Sequence, residues 1–194
     1  TIKDCIYGLA VGDALGVPFE FRPRDSFNAT TMTSGGVWNQ PIGTWSDDTS
    51  MTIATCDALR ENNKKIDLKA IQRNFIIWKD YDAYTAHNNT FDVGNTTAQA
   101  LDRRVGLDDL YSNGNGSLMR ISPLIFIDCT DEEIAQVSAI THAHSYSKEA
   151  CILYVKIGKE LLKGKDLKTV LDELDCSDTF ARLKNLKNLN RDSI

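Results

Sequence analysis

The sequence predicts an all-α fold, and three observations carry that expectation. Apolar residues recur at helical spacing in most segments, no stretch alternates apolar and polar residues as a half-buried strand would, and capping residues or helix-stopping prolines and glycines bound the segments. The chain has 194 residues, 42% apolar and 25% charged, the balance of one soluble globular domain spanning residues 1–194. A domain of this size buries roughly 70% of its unfolded surface and needs no covalent staples.

The first helix is expected over residues 2–15, with Gly8, Gly12 and Gly16 at four-residue spacing. Glycines cost roughly 1 kcal/mol each inside a helix, so this face predicts close backbone packing or a bound ligand. Pro18 stops the helix. Residues 21–45 hold Pro23, Gly35, Gly36, Pro41 and Gly43 and read as a long loop, which is uncommon unless it serves a site. Ser46 offers an N-cap, Asp47 and Asp48 fill a first helical turn, and Met51, Ala54, Thr55, Ala58 and Leu59 continue the apolar face. A helix over 67–79 carries Leu68, Ile71, Phe75 and Trp78, and a weaker one covers 92–105. Gly114-Asn115-Gly116 reads as a tight turn before an apolar segment ending near Ile127. Thr130 or Asp131 caps a helix through Ile140. The longest helix, 147–163, presents Cys151, Val155, Leu161 and Leu162 to the core and is closed by Gly164. Amphipathic pieces over 166–174 and 178–189 follow.

With 27 acidic against 22 basic residues the net charge is -5. This balance argues against nucleic acid or an anionic membrane held by bulk charge, and leaves room for a small anionic ligand at a local site. No apolar run approaches the 18 or more residues of a membrane span. The five cysteines are odd in number, widely spaced and without a Cys-x-x-Cys pair. Reduced thiols in a cytoplasmic protein fit better than a disulfide framework or structural zinc.

Several residues invite a chemical reading beside a plain one. Asp47 and Asp48 complement the positive end of a helix, worth roughly 0.3–1 kcal/mol each. With the Ser46 hydroxyl they would equally hold a hard divalent cation such as Mg²⁺ or Mn²⁺. Gly114-Asn115-Gly116-Ser117 is a surface turn or a loop whose backbone N–H groups approach a pyrophosphate. Arg120 either meets a phosphate or pins that loop through a carboxylate. Glu20 is a solvated acid or a site carboxylate. Thr141-His142-Ala143-His144 lacks the further ligands a zinc site needs, and a hydrogen-bonded histidine near a helix boundary is the plainer reading.

Their joint order is more specific. Gly8-x3-Gly12-Asp13-Ala14-Leu15-Gly16-x-Pro18-x-Glu20, then Trp45-Ser46-Asp47-Asp48-Thr49-x-Met51, then Gly114-Asn115-Gly116-x2-Met119-Arg120-x2-Pro123, then Thr141-His142, resembles the ADP-ribosylglycohydrolase family over roughly residues 4–160. The resemblance implies a compact, orthogonal multi-helix enzyme with two Mg²⁺ or Mn²⁺ ions. Such an enzyme hydrolyses the C1″ bond between ADP-ribose and a protein side chain or small leaving group. It further implies Ser46, Asp47 and Asp48 as metal ligands, with Glu20 and Asp48 catalytic. Gly114, Asn115, Gly116 and Ser117 become the pyrophosphate and ribose loop, and His142 lines the ADP-ribose pocket. Family members also carry a C-terminal Asp-x-Asp-Thr block, which this chain lacks. The expectation is therefore a C-terminally incomplete domain, with a second chain completing the site or a non-catalytic ADP-ribose-binding member as alternatives. An incomplete domain would also leave part of its core exposed.

Overall fold

The computed structural model describes residues 1–188, and there the chain forms seven α-helices. They are α1 (Ile2–Gly16), α2 (Asp47–Glu61), α3 (Leu68–Tyr81), α4 (Asn95–Arg103), α5 (Asp131–Ala139), α6 (Ser145–Leu162) and α7 (Leu167–Asp172). Short 3-10 segments at Val17–Phe19, Ser122–Phe126 and Asp178–Asn188 join or follow them. Among the described residues the only β-pairing is two isolated bridges, Gly35 with Gln40 and Leu107 with His142. The last residue of the 178–189 piece lies outside the described residues.

The core sits where α2 and α3 lie face to face and α5, α6 and the 122–126 segment close over them. Met51, Ala54 and Ala58 of α2 meet Ile71, Phe75 and Trp78 of α3, with Leu101, Leu124, Ile134, Val137, Cys151 and Val155 completing one cluster. Burial of this kind contributes roughly 25 cal/mol per Å² of apolar surface, and it overrides the weak helical propensity of the threonine-rich α2. Thr52 and Thr55 stay helical by donating their hydroxyls to Asp48 O and Met51 O, four residues back. A smaller cluster of Leu153, Leu171 and Leu174, with Phe180 and Leu183 against it, ties α7 and the following 3-10 segment to α6.

Helix ends follow local chemistry. Asp67 caps α3 by accepting from Lys69 and Ala70 N–H, and Thr130 forms a reciprocal capping box with Glu133 at α5. His144 caps α6 through Nδ1, which accepts from the Tyr146 N–H at 3.2 Å, so it is a structural histidine. Gly164 follows the end of α6 with φ +89, the left-handed stop expected of it.

Three expectations are corrected. The close backbone packing expected at Gly8, Gly12 and Gly16 is absent among the described residues, where a Cβ at any of them would meet no atom within 4 Å; Gly12 and Gly16 instead line a groove of about 470 Å³. The neighbouring Tyr7 is 71% exposed. On α6, Leu161 and Leu162 point outward rather than into the core, because the inward stripe runs through Cys151 and Val155. Finally, Ser46 occupies the N-cap position of α2 but accepts no hydrogen bond there.

Asp13 of α1 caps α2 instead. Its carboxylate accepts from Ser46 N–H (2.9 Å), Ser46 Oγ (2.8 Å), Thr49 N–H (3.1 Å) and Thr49 Oγ1 (2.6 Å). Hydrogen bonds to a charged acceptor are worth about 1.5–3 kcal/mol each, and losing the acceptor orphans buried donors. Asp13→Ala is therefore expected to destabilise the protein by about 3 kcal/mol or more, and Asp13→Asn by less, as read by urea unfolding. An Asp13→Ala loss below about 1 kcal/mol would remove Asp13 from this role.

Candidate active site

The cap places the acids. With Asp13 holding Ser46 and Thr49, the first turn of α2 presents Asp47 and Asp48 to a cavity of about 450 Å³, within the range of small-molecule sites. Asp47 is buried, and burial followed by repulsion from Asp48 pushes its carboxyl up to about 8. Asp48 is raised in the same direction, first by burial and then by the charge of Asp13. Ser46 lies beneath them, its hydroxyl donating to Asp13.

Two loops supply the opposite wall. After Pro18 the chain leaves α1, and the long segment folds back so that Gly36, at φ +74, sits against the Pro18 backbone. A Cβ there would lie 2.7 Å from Pro18 Cα, so only glycine fits both the torsion and the space. This contact brings Trp38 over Glu20, to whose carboxylate the indole N–H donates. Trp38 also meets Phe21 edge-on at 6.2 Å and Phe91 at 5.9 Å between ring centroids. The segment between α3 and α4 is pinned by Thr90, whose N–H donates to Asp82 and whose hydroxyl donates to Trp78 O. It delivers Asp92, in the left-handed region at φ 55, into the same cavity. Glu20 and Asp92 line it together. Burial and then the neighbouring charge of Asp92 raise Glu20 to about 7, although the Trp38 N–H opposes them.

The remaining wall is the Gly114–Gly116 loop with His142. Gly114, Asn115, Gly116, Met119 and His142 line the cavity together with Glu20, Asp47, Asp48 and Asp92. Neither loop glycine has a positive φ, so Gly116 is required for space. Its Cβ would stand 2.7 Å from His142 Cε1 and 3.1 Å from Thr97 Oγ1. Gly114 would meet His142 Nε2 only at 4.0 Å. His142 is held at its backbone, where Leu107 N–H donates to Thr141 O and Ala143 N–H donates to Leu107 O.

Of the sequence-predicted residues, Glu20, Asp47, Asp48, Gly114, Asn115, Gly116 and His142 converge on one cavity. Ser117 does not present its side chain there. It is buried, and its hydroxyl accepts from Ser138 Oγ at 3.0 Å and from the Cys151 thiol at 3.5 Å. Arg120 is fully buried over the Phe75 ring and does not line the cavity; it donates to Val137 O and Thr141 Oγ1, so among the described residues it neither faces a ligand nor pins the loop through a carboxylate. Sequence reasoning missed Asp92 and the capping role of Asp13. Asp13 stood inside the glycine-rich motif, whereas Asp92 carried no local signal.

Four carboxylates line the cavity, and among the described lining residues there is no Lys or Arg. This all-oxygen donor set has the hard character that Mg²⁺ or Mn²⁺ takes. Among the described residues, however, no group of three or more His, Cys, Asp or Glu is arranged to hold a metal ion. The donors fit such a cation in kind and supply part of a coordination shell.

Comparison with known proteins identifies the class. The sequence profile of ADP-ribosylglycohydrolase matches residues 1–193, and the chain belongs to that family. It is 30% identical to ADP-ribosylarginine hydrolase Tri1 of Pseudomonas putida, over 87% of this chain and 48% of that protein. It is also 30% identical to ADP-ribosyl-[dinitrogen reductase] glycohydrolase of Rhodospirillum rubrum, over 86% of this chain and 59% of that one. A solved structure described as an ADP-ribosylglycohydrolase-related protein complex superposes with a TM-score of 0.75 at 25% identity, covering 93% of this chain and 64% of its own. The helical fold is thus the family's. The chain spans about half the length of the Tri1 relatives it matches.

Two outcomes follow from the geometry. Gly116→Ala, which forces His142 or Thr97 aside, is expected to cost about 1–3 kcal/mol, and Gly114→Ala about 0.5 kcal/mol or less; equal costs in urea unfolding would contradict the space argument. The folded state holds the Asp47 proton more tightly than the unfolded chain does. Stability is therefore lost as pH rises from the ordinary 3.8 towards 8. Without added divalent cations, Asp47→Asn should melt higher than the parent at pH 8, by roughly 2–4 °C per kcal/mol relieved, with no such gain below the ordinary value.

Proposed function

We propose that the protein hydrolyses the bond between C1″ of the distal ribose of ADP-ribose and a protein side chain or small leaving group, in a metal-dependent reaction. The observation that carries this reading is a single cavity. It joins the Asp47–Asp48 pair of α2, with Asp47 buried, to Glu20 and Asp92 and to the Gly114–Gly116 loop. Mg²⁺ or Mn²⁺ would be held by Asp47 and Asp48 with the Ser46 hydroxyl, the remaining ligands coming from outside the described residues, a second chain being one source. Bound there, such ions orient hydroxyls and lower the pKa of a water.

The chain's own groups do the rest. The loop 114–116 with His142 seats the diphosphate and ribose, turning the reacting carbon towards the acids. Glu20, poised near neutrality, holds a proton against Asp92, and Trp38 fixes its carboxyl. It can therefore give that proton to a departing group or take one from water. The free state of all five cysteines supports a reducing compartment such as the cytoplasm.

A second reading is a non-catalytic ADP-ribose-binding member, favoured by the incomplete metal shell. Release of free ADP-ribose from ADP-ribosylated peptides, with Mg²⁺ or Mn²⁺ and then with chelator, separates the two. Hydrolysis should require the ion and fall with Asp48→Asn. Glu20→Gln should lower turnover about 10²–10⁴-fold while calorimetric ADP-ribose affinity holds. Binding without turnover in the parent protein would establish the second reading.

A further inference from the structure

Arg120 is 0% exposed, and among the described residues its guanidinium has no carboxylate partner. It lies 4.4 Å from the Phe75 ring centroid, and Nε and Nη1 have no hydrogen-bond acceptor. Only Nη2 is bonded, donating to Val137 O at 3.2 Å and to Thr141 Oγ1 at 2.9 Å. Thr141 Oγ1 lies in turn 2.9 Å from His142 Nδ1.

The direction of that last bond follows from donor chemistry. A guanidinium can only donate, so Thr141 accepts from Arg120. Threonine has one hydroxyl hydrogen, and Nδ1 is the acceptor it reaches. A proton on Nδ1 would instead send two donors to Thr141 and strand its own buried hydrogen, at about 1–3 kcal/mol. Nδ1 is therefore the acceptor. The ring is neutral at pH 7, because burial and then the positive charge of Arg120 hold it down to about 4. A neutral ring with a bare Nδ1 carries its proton on Nε2. That atom faces the glycine loop, 4.0 Å from where a Gly114 Cβ would stand and 3.2 Å from a Gly116 Cβ. An imidazolium beside four carboxylates would be drawn to pair with one of them; a neutral N–H stays free for an incoming oxygen.

We propose that Arg120 and Thr141 are positioning residues that fix His142 as an Nε2–H donor, aimed at a phosphate oxygen of a ligand lying on the Gly114–Gly116 loop. The ligand's identity rests on the ADP-ribose reading above; the place of the proton does not. Nothing moves covalently, and Arg120 acts only through Thr141.

The test is ¹⁵N NMR of the histidine rings in the full 194-residue chain at pH 7, with His142 assigned by loss of its signals in His142→Asn. The parent should show an unprotonated Nδ1 and a protonated Nε2. Thr141→Val, which keeps the shape and removes the hydroxyl, should lose that single tautomer and bind ADP-ribose about tenfold more weakly, a change of about 1.4 kcal/mol. Thr141→Ser should retain both properties, a rescue that lost packing alone would not produce. A proton on Nδ1 in the parent protein overturns the proposal, as does Thr141→Val with unchanged ring signals and affinity. An Nε2–H ring in a parent that binds no ADP-ribose would overturn the ADP-ribose reading and leave the tautomer assignment standing.

Discussion

The carboxylate of Asp13 ties the first helix to the second and sets the orientation of everything built on that junction. It accepts from two backbone N–H groups and two hydroxyls at the start of α2, satisfying donors that a helix N-terminus otherwise leaves open. A cap from within the segment would fix only α2. A cap from α1 also fixes the angle at which the two helices meet, and so where Asp47 and Asp48 point. The same helix leads through the 3-10 turn Val17–Phe19 to Glu20, the third acid of the cavity.

That arrangement concentrates negative charge. Burial and mutual repulsion raise Glu20, Asp47, Asp48 and Asp92 above ordinary carboxylate values. Arg120, four residues after the glycine loop, is withdrawn into the core, where it lies over the Phe75 ring. The guanidinium of Arg120 is thus kept out of the cavity that the four carboxylates line. Such a cavity is unfavourable when empty and ionised, and it gains stability from a bound cation or a retained proton. Strain of this kind is common where function and not stability selects the residues.

The loops carry more of the site than their irregularity suggests. Gly36 against Pro18 sets Trp38 over Glu20, while Asp82 and Trp78 anchor the Thr90 turn that delivers Asp92. Each anchor is a rigid backbone contact or a hydrogen bond to a helix end, so the irregular segments inherit the precision of the helices they fold against.

The sequence by itself determined the helical architecture, because a 3.6-residue apolar period and its caps are local properties that the chain displays in order. It also determined most of the cavity, since Glu20, Asp47, Asp48, the 114–116 loop and His142 lie in ordered motifs that resemble one family. Tertiary structure alone decided the rest. The inward turn of Ser117 and the burial of Arg120 depend on which face of a loop meets the core, and spacing does not encode that. The open glycine face of α1 depends on what packs beside it, Asp13 acts on residues some thirty positions away, and Asp92 reaches the cavity only when a distant loop folds back. Each is a contact between segments remote in sequence, where burial and hydrogen-bond demand, not local propensity, choose the partner.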